Sequence, residues 1–238
     1  MYLENSIEKR PLIVLAGGLG TRLQSVLKGA PKPLADVNGV PFLQLLFVKW
    51  REAGFTKFIL SLHYEASRII ELINELKDTV LVDCEMEIVV ETNPLGTGGA
   101  ISFVVRELNL NGDIFIVNAD TWIDSGFNLI QSREGNCIGI VRVQNTNRYG
   151  RVLLDDSSRV VCFEEKLEDC EPGFINAGIY KLSAELFRNW DGMSCSLERD
   201  FLPKLVANSM LCGVELSTKF IDIGIPEDYY KFCSWKMD

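Results

Sequence analysis

Short apolar runs alternate with amphipathic segments between residues 11 and 118. Continuous apolar runs that end in glycine or polar residues suit strands buried on both faces of a sheet. These runs predict strands at 11–16, 57–62, 87–91 and 113–118. The amphipathic segments between them predict helices at 41–53, 65–76 and 97–108. Strands that alternate with helices in this way predict an α/β fold, with a mixed, mostly parallel sheet flanked by helices.

The helix predicted at 41–53 has the clearest local signals. Pro41 suits the first helical position, where its missing N–H costs no hydrogen bond. Apolar side chains then recur at helical spacing, and Gly54 follows the last of them. The pattern therefore predicts an amphipathic helix between the first two strands.

The pattern changes after about residue 136. Strand-like segments separated by turn signals such as "DDSS" and "PG" lie between residues 137 and 182. A helix is predicted at 197–207, although Pro203 is an awkward interior residue, and "PEDYYKFCSW" predicts the last helix. The chain has no internal repeat, low-complexity linker or clean domain boundary. We therefore predict one domain over residues 1–238, whose second half adds strands over the sheet.

Composition narrows the classes of partner. With 238 residues and 47% hydrophobic content, the chain is long enough to bury one substantial core. Its formal net charge of −9 argues against binding to nucleic acid or an anionic membrane, since both need a basic face. No apolar stretch reaches the roughly 18 residues of a membrane span, and charges stand where a signal peptide needs an apolar run. Composition therefore predicts a cytoplasmic protein with no nucleic-acid or membrane partner.

The metal-binding residue types are also informative. The seven cysteines form no CxxC pair, and the chain has one histidine. This argues against a zinc site and favours reduced thiols in a cytosolic protein. The histidine, His63, lies far in sequence from the motifs described below, so we interpret it as structural or incidental.

Three glycines follow the first strand, at Gly17, Gly18 and Gly20. Ligands of such sheets bind at the carboxyl ends of the strands, where glycines let backbone N–H groups approach phosphate oxygens closely. The spacing is not a dinucleotide fingerprint, because Leu23 stands where the third glycine is needed, and no P-loop pattern is present. Taken alone, the glycines are equally consistent with a tight strand exit.

Two cations follow the glycines. Arg22 and Lys32 lie in a segment rich in glycine and proline that can fold back over the strand end. In an acidic protein, two cations at a glycine turn can bind a polyphosphate and neutralise charge on a transferring phosphoryl group. The alternative is a pair of solvated surface cations.

These residues resemble a known family, the sugar-phosphate nucleotidyltransferases or NDP-sugar pyrophosphorylases. "LAGGLGTRL" (15–23) followed by "PKP" (31–33) is similar to the family signature in order and spacing. Further segments that resemble family motifs are "ETNPLGTGGA" (91–100), "NAD" (118–120), "RYG" (148–150), "FEEK" (163–166), "NAGIY" (176–180) and "FIDIG" (220–224). The resemblance implies the Rossmann-like nucleotide-diphospho-sugar transferase fold, with 1–136 mainly binding nucleotide and 137–238 mainly binding sugar phosphate.

The resemblance also assigns residues. It implies that the nucleotide is bound by Leu15, Ala16, Gly17, Gly18, Gly20, Thr21, Glu91, Gly96 and Thr97. It implies that the sugar phosphate is bound by Gly150, Glu165, Lys166, Asn176 and Gly178. It implies that Arg22, Lys32 and Asp120 are catalytic and that Asp120 and Asp222 bind Mg²⁺. Lys166 follows two glutamates, so a surface ion pair is the alternative for that residue.

The chemistry of the two aspartates agrees with the metal assignment. Asp120 and Asp222 each lie in an apolar strand context, where an unpaired charge is costly. Magnesium takes carboxylate oxygens together with phosphate and water oxygens, so a shared ion would remove that cost. The alternative for each is a cap or turn residue after a strand.

The implied reaction is transfer of a nucleotidyl group from a nucleoside triphosphate to a sugar 1-phosphate. The barrier to such a transfer is largely electrostatic and positional, so the absence of a nucleophilic triad is no obstacle. We expect GTP as donor, because the carboxylate of Glu91 offers only acceptors and guanine presents two adjacent donors. The alternative for Glu91 is that it caps the following turn.

Among relatives, the chain looks most like guanylyltransferases that act on D-glycero-D-manno-heptose 1-phosphate, which supply GDP-sugars for capsule, lipopolysaccharide or S-layer glycans. Mannose 1-phosphate guanylyltransferases come next, and uridylyl or thymidylyl transfer stays open. The resemblance leaves a homo-oligomer open as well.

Two other classes of function stay open. A glycosyltransferase would want a DxD metal motif, and Asp120-Thr121-Trp122 lacks the second aspartate. A non-catalytic nucleotide-sugar sensor should have lost Arg22, Lys32 or a metal-binding aspartate, and all are present.

Overall fold

The computed structural model describes residues 10–164 and 171–236. Its strands are β1 (Leu12–Leu15), β2 (Asp36–Val37), β3 (Val40–Pro41), β4 (Lys57–Leu62), β5 (Glu85–Val90), β6 (Asp113–Asn118), β7 (Thr121–Ile123), β8 (Cys137–Val143), β9 (Arg151–Leu154), β10 (Val160–Glu164), β11 (Gly173–Ser183), β12 (Cys212–Glu215) and β13 (Phe220–Asp222). Its α-helices are α1 (Gln24–Leu27), α2 (Phe42–Glu52), α3 (Ala66–Leu76), α4 (Gly96–Glu107), α5 (Phe127–Ser132), α6 (Leu202–Ala207) and α7 (Pro226–Trp235).

The central sheet has seven strands in the order β12-β8-β11-β6-β1-β4-β5. Strands β1, β4, β5 and β6 are mutually parallel, as are β8 and β12, whereas β11 runs antiparallel to both of its neighbours. The predicted mixed, mostly parallel sheet is therefore confirmed. The second half of the chain differs from the prediction in one respect, because β8, β11 and β12 extend the sheet edgewise. The β9–β10, β7–β13 and β2–β3 pairs form separate two-stranded ribbons among the described residues.

Helices cover both faces of the sheet, as predicted. The alternating side chains of β1 separate the two layers, since Leu12 and Val14 pack with α2, α3 and α7 whereas Ile13 packs with α4 and α6. The central strands β1 and β6 are apolar and buried on both faces, so helices can pack on either side of them. Burial of this kind is the main stabilising contribution to the fold.

Two predicted helices begin differently from expectation. Pro41 is not the first helical residue, because it pairs with Asp36 in the β2–β3 ribbon and has an extended backbone. The helix predicted at 197–207 begins as a wide π-helical turn, Leu197–Phe201, and continues as α6. Pro203 lies in the first turn of α6, where its missing N–H is tolerated.

Candidate active site

A cleft of about 520 Å³ opens at the carboxyl ends of β1, β4 and β6. These strands are parallel neighbours, so the segments that follow them meet at one edge of the sheet. All of the residues predicted to bind nucleotide line this cleft: Leu15, Ala16, Gly17, Gly18, Gly20, Thr21, Glu91, Gly96 and Thr97. Every lining residue falls within 15–120.

The glycine loop after β1 presents uncommitted backbone donors. Within the part of the chain that the structure describes, the N–H groups of residues 17–21 make no hydrogen bond to the protein. The loop lines the cleft throughout these residues. Consecutive N–H groups of this kind form a concave anion site, so the loop can take phosphate oxygens.

Glycine is required at residue 20 for two reasons, its backbone conformation and its close contact with Lys32. Its φ angle is +61°, and a Cβ atom there would lie 2.7 Å from Cγ of Lys32. Lys32 runs past the glycine and donates from Nζ to Oδ2 of Asp120 at 2.9 Å. The lysine side chain is only 13% exposed and that of Asp120 is 31% exposed. The close packing of Lys32 on Gly20 therefore places the largely buried ammonium group beside the Asp120 carboxylate, just after β6.

Asp120 and Asp222 are brought together by the β7–β13 pair. Asp222 is paired with Thr121 across that ribbon, and Ile223 donates its N–H to the Asp120 carbonyl at 3.0 Å. Burial raises the pKa of Asp222, and the nearby charge of Asp120 raises it further. Two buried carboxylates that repel each other are stabilised in their charged forms when a cation binds near both. Among the described residues, no group of three or more His, Cys, Asp or Glu side chains could hold a metal, and this pair offers two carboxylates.

Glu91 lies one residue beyond β5 and is buried, with 7% of its surface exposed. Ser61 donates from Oγ to Oε1 at 3.0 Å, and the Leu95 N–H donates to Oε2 at 3.0 Å. The turn-capping role considered for Glu91 is therefore observed. Each carboxylate oxygen accepts one of these bonds and keeps a second lone pair, so capping does not exhaust its capacity to accept bonds from a ligand.

A second cleft of about 300 Å³ is lined by Gly150 and Asn176, which were predicted to bind the sugar phosphate. Gly178 is absent from its lining. It has a φ of +72° and packs against Asn118, so close that a Cβ atom would lie 2.7 Å from Nδ2 of that residue. Glu165 and Lys166 fall outside the described residues, and their predicted roles are not addressed by the structure.

The model of the nucleotidyl transferase family matches residues 12–234, which is nearly the whole chain. The chain belongs to the nucleotidyl transferase family. It is 33% identical over 221 residues to the D-glycero-alpha-D-manno-heptose 1-phosphate guanylyltransferase of Campylobacter jejuni subsp. jejuni serotype O:2, covering 92% of this chain and 97% of the relative. It is 34% identical over 229 residues to the mannose-1-phosphate guanylyltransferase of Mycobacterium tuberculosis, covering 92% of this chain and 62% of that protein.

A solved structure is similarly close. HddC from Yersinia pseudotuberculosis is 35% identical and superposes with a TM-score of 0.83, covering 96% of this chain and 100% of that one. The same protein complexed with GMP-PN superposes with a TM-score of 0.82. A Bacillus anthracis protein described as a putative glucose-1-phosphate thymidylyltransferase is 16% identical and has a TM-score of 0.80, which bears on the fold alone. These similarities confirm the nucleotide-diphospho-sugar transferase fold.

Three residues of this nucleotidyl transferase lie where the sequence did not place them. His63 lines the first cleft, which we call the nucleotide cleft after the residues predicted to bind nucleotide there, and its Nδ1 lies 3.0 Å from the Glu91 carbonyl oxygen, which agrees with the structural rather than the incidental interpretation. Ser61 was missed, although it is the one hydroxyl in the apolar strand "KFILSL" and that interruption was the available signal. Arg22 is exposed and does not line the cleft.

Burial raises the pKa of Tyr149, which lines the second cleft, to about 12, and the positive charges of Arg148 and, less strongly, Arg22 oppose that rise. Arg22 lines neither of these two clefts.

No helix among the described residues is both long and apolar enough to cross a bilayer. Five of the cysteines that the structure describes are free thiols: Cys137, Cys162, Cys195, Cys212 and Cys233.

Proposed function

We propose that this nucleotidyl transferase transfers GMP from GTP to D-glycero-α-D-manno-heptose 1-phosphate, giving a GDP-sugar and pyrophosphate. One observation carries the proposal: a single cleft joins the free N–H groups of the glycine loop, the Glu91 carboxylate and Asp120. Groups suited to bind the phosphates, the base and the metal of one nucleotide therefore line the same cleft. The similarity over nearly full length to a heptose 1-phosphate guanylyltransferase supports the choice of substrate.

The reaction is an in-line displacement at the α-phosphorus of the triphosphate. A bond forms from an oxygen of the sugar 1-phosphate to the α-phosphorus, the bond to the β-phosphate oxygen breaks, and pyrophosphate leaves. The backbone N–H groups of residues 17–21 bind phosphate oxygens, and Lys32 supplies positive charge beside them. Both substrates are polyanions, so these donors offset repulsion and hold the reacting atoms in line.

Asp120 and Asp222 would hold the divalent cation that this transfer needs, and we propose Mg²⁺. The fit is a matter of donor chemistry, since two carboxylates offer hard oxygen ligands and the raised pKa of Asp222 reflects charge that burial has left incompletely compensated. When bound, the cation would supply positive charge at the α-phosphate. Lys32 offsets the charge of Asp120 at 2.9 Å, and the Gly224 N–H donates to Oδ1 of Asp222 at 2.6 Å. These contacts hold the two carboxylates in place.

Glu91 is proposed to select guanine. The free lone pairs of its two oxygens can accept from N1–H and from the 2-amino group of guanine as a bidentate pair. Uracil and thymine present one donor between two carbonyls, which would face the carboxylate unfavourably. Ser61 and the Leu95 N–H hold the carboxylate still, so the match to guanine costs little reorganisation.

The sugar phosphate is proposed to occupy the second cleft. Gly150 and Asn176 line it, and the family resemblance adds Glu165, Lys166 and Gly178. Residues 1–136 would then mainly bind nucleotide and 137–238 mainly bind sugar phosphate. We propose a cytoplasmic location, in keeping with the free thiols, and a role in supplying GDP-sugar for surface polysaccharide.

Mannose 1-phosphate is the second candidate acceptor, because the chain is equally similar in identity to a mannose-1-phosphate guanylyltransferase. Pyrophosphate release tests the proposal, with GTP, UTP, dTTP, CTP and ATP each paired with heptose, mannose and glucose 1-phosphates. The expected result is the highest kcat/KM with GTP and the heptose 1-phosphate. A preference for a pyrimidine triphosphate would contradict the assignment of the base, and no turnover with any pair would favour a nucleotide-sugar sensor.

A further inference from the structure

A continuous chain of hydrogen bonds connects the nucleotide cleft with the sugar cleft. Thr97, which lines the nucleotide cleft, donates from Oγ1 to Oε2 of Glu198 at 3.0 Å. The hydroxyl of Tyr180 donates to Oε1 of the same carboxylate at 3.1 Å. Asn176, which lines the sugar cleft, donates from Nδ2 to the Tyr180 hydroxyl oxygen at 2.7 Å.

Glu198 fixes the direction of every bond in this chain. A carboxylate only accepts, so Thr97 and Tyr180 must both donate to it. Tyr180 is fully buried and has one proton, which is committed to Glu198. The tyrosine oxygen can then only accept, so Asn176 turns its amide nitrogen toward it. The Gly178 N–H donates to Oδ1 of Asn176 at 2.9 Å and agrees with this orientation.

The chain leaves a defined set of groups for ligands. Asn176 keeps its second amide N–H and one lone pair of Oδ1, and these can meet a sugar hydroxyl at the second cleft. The hydroxyl of Thr97 has no donor left, because its proton goes to Glu198 and its oxygen accepts the Leu197 N–H at 2.8 Å. Thr97 therefore acts on the nucleotide through the position of its loop rather than through its hydroxyl.

The segment just before Glu198 is also hydrogen-bonded to the start of α4. The N–H groups of Gly98 and Gly99 donate to the Cys195 carbonyl at 3.0 and 3.2 Å, and the Cys195 N–H donates to the Leu95 carbonyl at 2.9 Å. Ser196 adds a second hydroxyl to Oε2 of Glu198 at 2.9 Å. The segment 195–198 is thus hydrogen-bonded to the wall of the nucleotide cleft, while Ser196 and Glu198 line the sugar cleft and Glu198 is linked through Tyr180 to Asn176 in the same lining.

We propose that Glu198 is a positioning residue for both substrates, setting the amide orientation of Asn176 through Tyr180 and the position of the nucleotide loop through Thr97. This rests on the proposed function, because it assigns the two clefts to the sugar phosphate and the nucleotide. This role can be distinguished from general stabilisation, because the chain of hydrogen bonds has two arms that can be removed separately. One arm joins Glu198 to Thr97, and the other joins Glu198 through Tyr180 to Asn176.

The test cuts each arm in turn. Tyr180→Phe removes the hydroxyl between Asn176 and Glu198 and touches neither cleft, so the KM for the sugar 1-phosphate should rise about tenfold while the KM for GTP stays within twofold. Thr97→Val should do the reverse, and Thr97→Ser, which keeps the hydroxyl, should restore the wild-type KM for GTP. Glu198→Gln should raise both KM values, because an amide cannot accept from every partner.

Tyr229→Phe is the matched control. It removes a hydroxyl that donates to the Asp36 carbonyl, away from this chain of bonds, and should leave both KM values unchanged. Titration of each variant with GTP and with D-glycero-α-D-manno-heptose 1-phosphate gives a readout that needs no turnover. Tyr180→Phe should weaken binding of the sugar 1-phosphate and spare GTP binding.

The outcomes distinguish a failure of the proposed function from a failure of the positioning role of Glu198. If the wild type turns over no sugar 1-phosphate, the proposed function fails, and the titrations still decide whether the two arms act separately. Equal changes in both ligands for Tyr180→Phe and Thr97→Val, or no change in either, would overturn the positioning role.

Discussion

At the scale of single residues, Glu91 shows how one carboxylate can serve both the fold and the ligand. Its oxygens accept from Ser61 and from the Leu95 N–H, and each retains a lone pair. A buried group held by fixed protein donors cannot turn to suit a different base. We therefore expect the choice of nucleotide to depend on the charge at residue 91 as well as on its shape.

Glu91→Gln tests this expectation directly. The amide replaces one acceptor with a donor, so one of the two bonds to guanine becomes a clash of donors. The kcat/KM ratio of GTP to UTP should fall by ~10² or more, since sites that pair with a ligand group reject unmatched analogues by up to ~10⁴–10⁵. The ratio of GTP to ITP, which lacks the 2-amino group, should fall in parallel. An unchanged GTP preference in Glu91→Gln would assign the glutamate to capping alone.

Lys32 is the second residue whose role can be separated from the fold. It is largely buried and its ammonium lies against Asp120 beside the phosphate loop. Lys32→Ala should lower kcat by ~10²–10³, the usual cost of removing one well-placed electrostatic donor. Arg22→Lys should also be harmful, because a point charge does not replace a guanidinium fork. Turnover numbers at saturating substrates give the measurement, and a normal kcat in Lys32→Ala would refute its role.

At the scale of elements, the β7–β13 ribbon brings together the two aspartates that are proposed to bind the metal. The sequence places Asp120 and Asp222 far apart, and neither short strand was predicted from it. Antiparallel pairing sets Asp222 opposite Thr121, the residue after Asp120. Three-residue strands carry too little periodicity to be recognised in a sequence, so the two aspartates could be assigned as partners only through family resemblance.

Asp120→Asn and Asp222→Asn test the pair. Each substitution preserves shape and removes a negative charge, so each should cut turnover by orders of magnitude while the fold survives, as judged by circular dichroism. Because burial and repulsion from Asp120 raise the pKa of Asp222, Asp222→Asn should also leave the metal-free protein no less stable, whereas Asp120→Asn removes the ion-pair partner of the largely buried Lys32. Near-normal activity in both variants with Mg²⁺ present would show that the site is wrongly assigned.

The elements that the sequence predicted are those with long apolar patterns. The strands at 57–62 and 113–118 were predicted with the same bounds that the structure has, because their buried runs end at polar or glycine residues. The nucleotide cleft was also predictable, since its residues follow consecutive parallel strands. The hydrogen-bond chain through Glu198 was not, because it joins Thr97 to a residue 101 positions further along the chain and its members leave no sequence pattern.

At the scale of the whole molecule, an acidic protein binds two polyanionic substrates. The formal net charge is −9, so the general field opposes both ligands. Binding must therefore depend on local donors: the loop N–H groups, a few cations and the metal that the paired aspartates are proposed to hold. In the proposed function, the two clefts linked by the hydrogen bonds of Glu198 bring both anions together, which would allow transfer without a nucleophilic side chain.

The central claim is that the α-phosphoryl group moves with its nucleoside to the sugar phosphate. GTP labelled at the α-phosphorus, incubated with D-glycero-α-D-manno-heptose 1-phosphate, Mg²⁺ and the wild-type protein, follows that group directly. The account predicts that the label appears in GDP-heptose, one for each unlabelled pyrophosphate released. Label in free GMP, or label that stays in GTP with every sugar 1-phosphate offered, would contradict it.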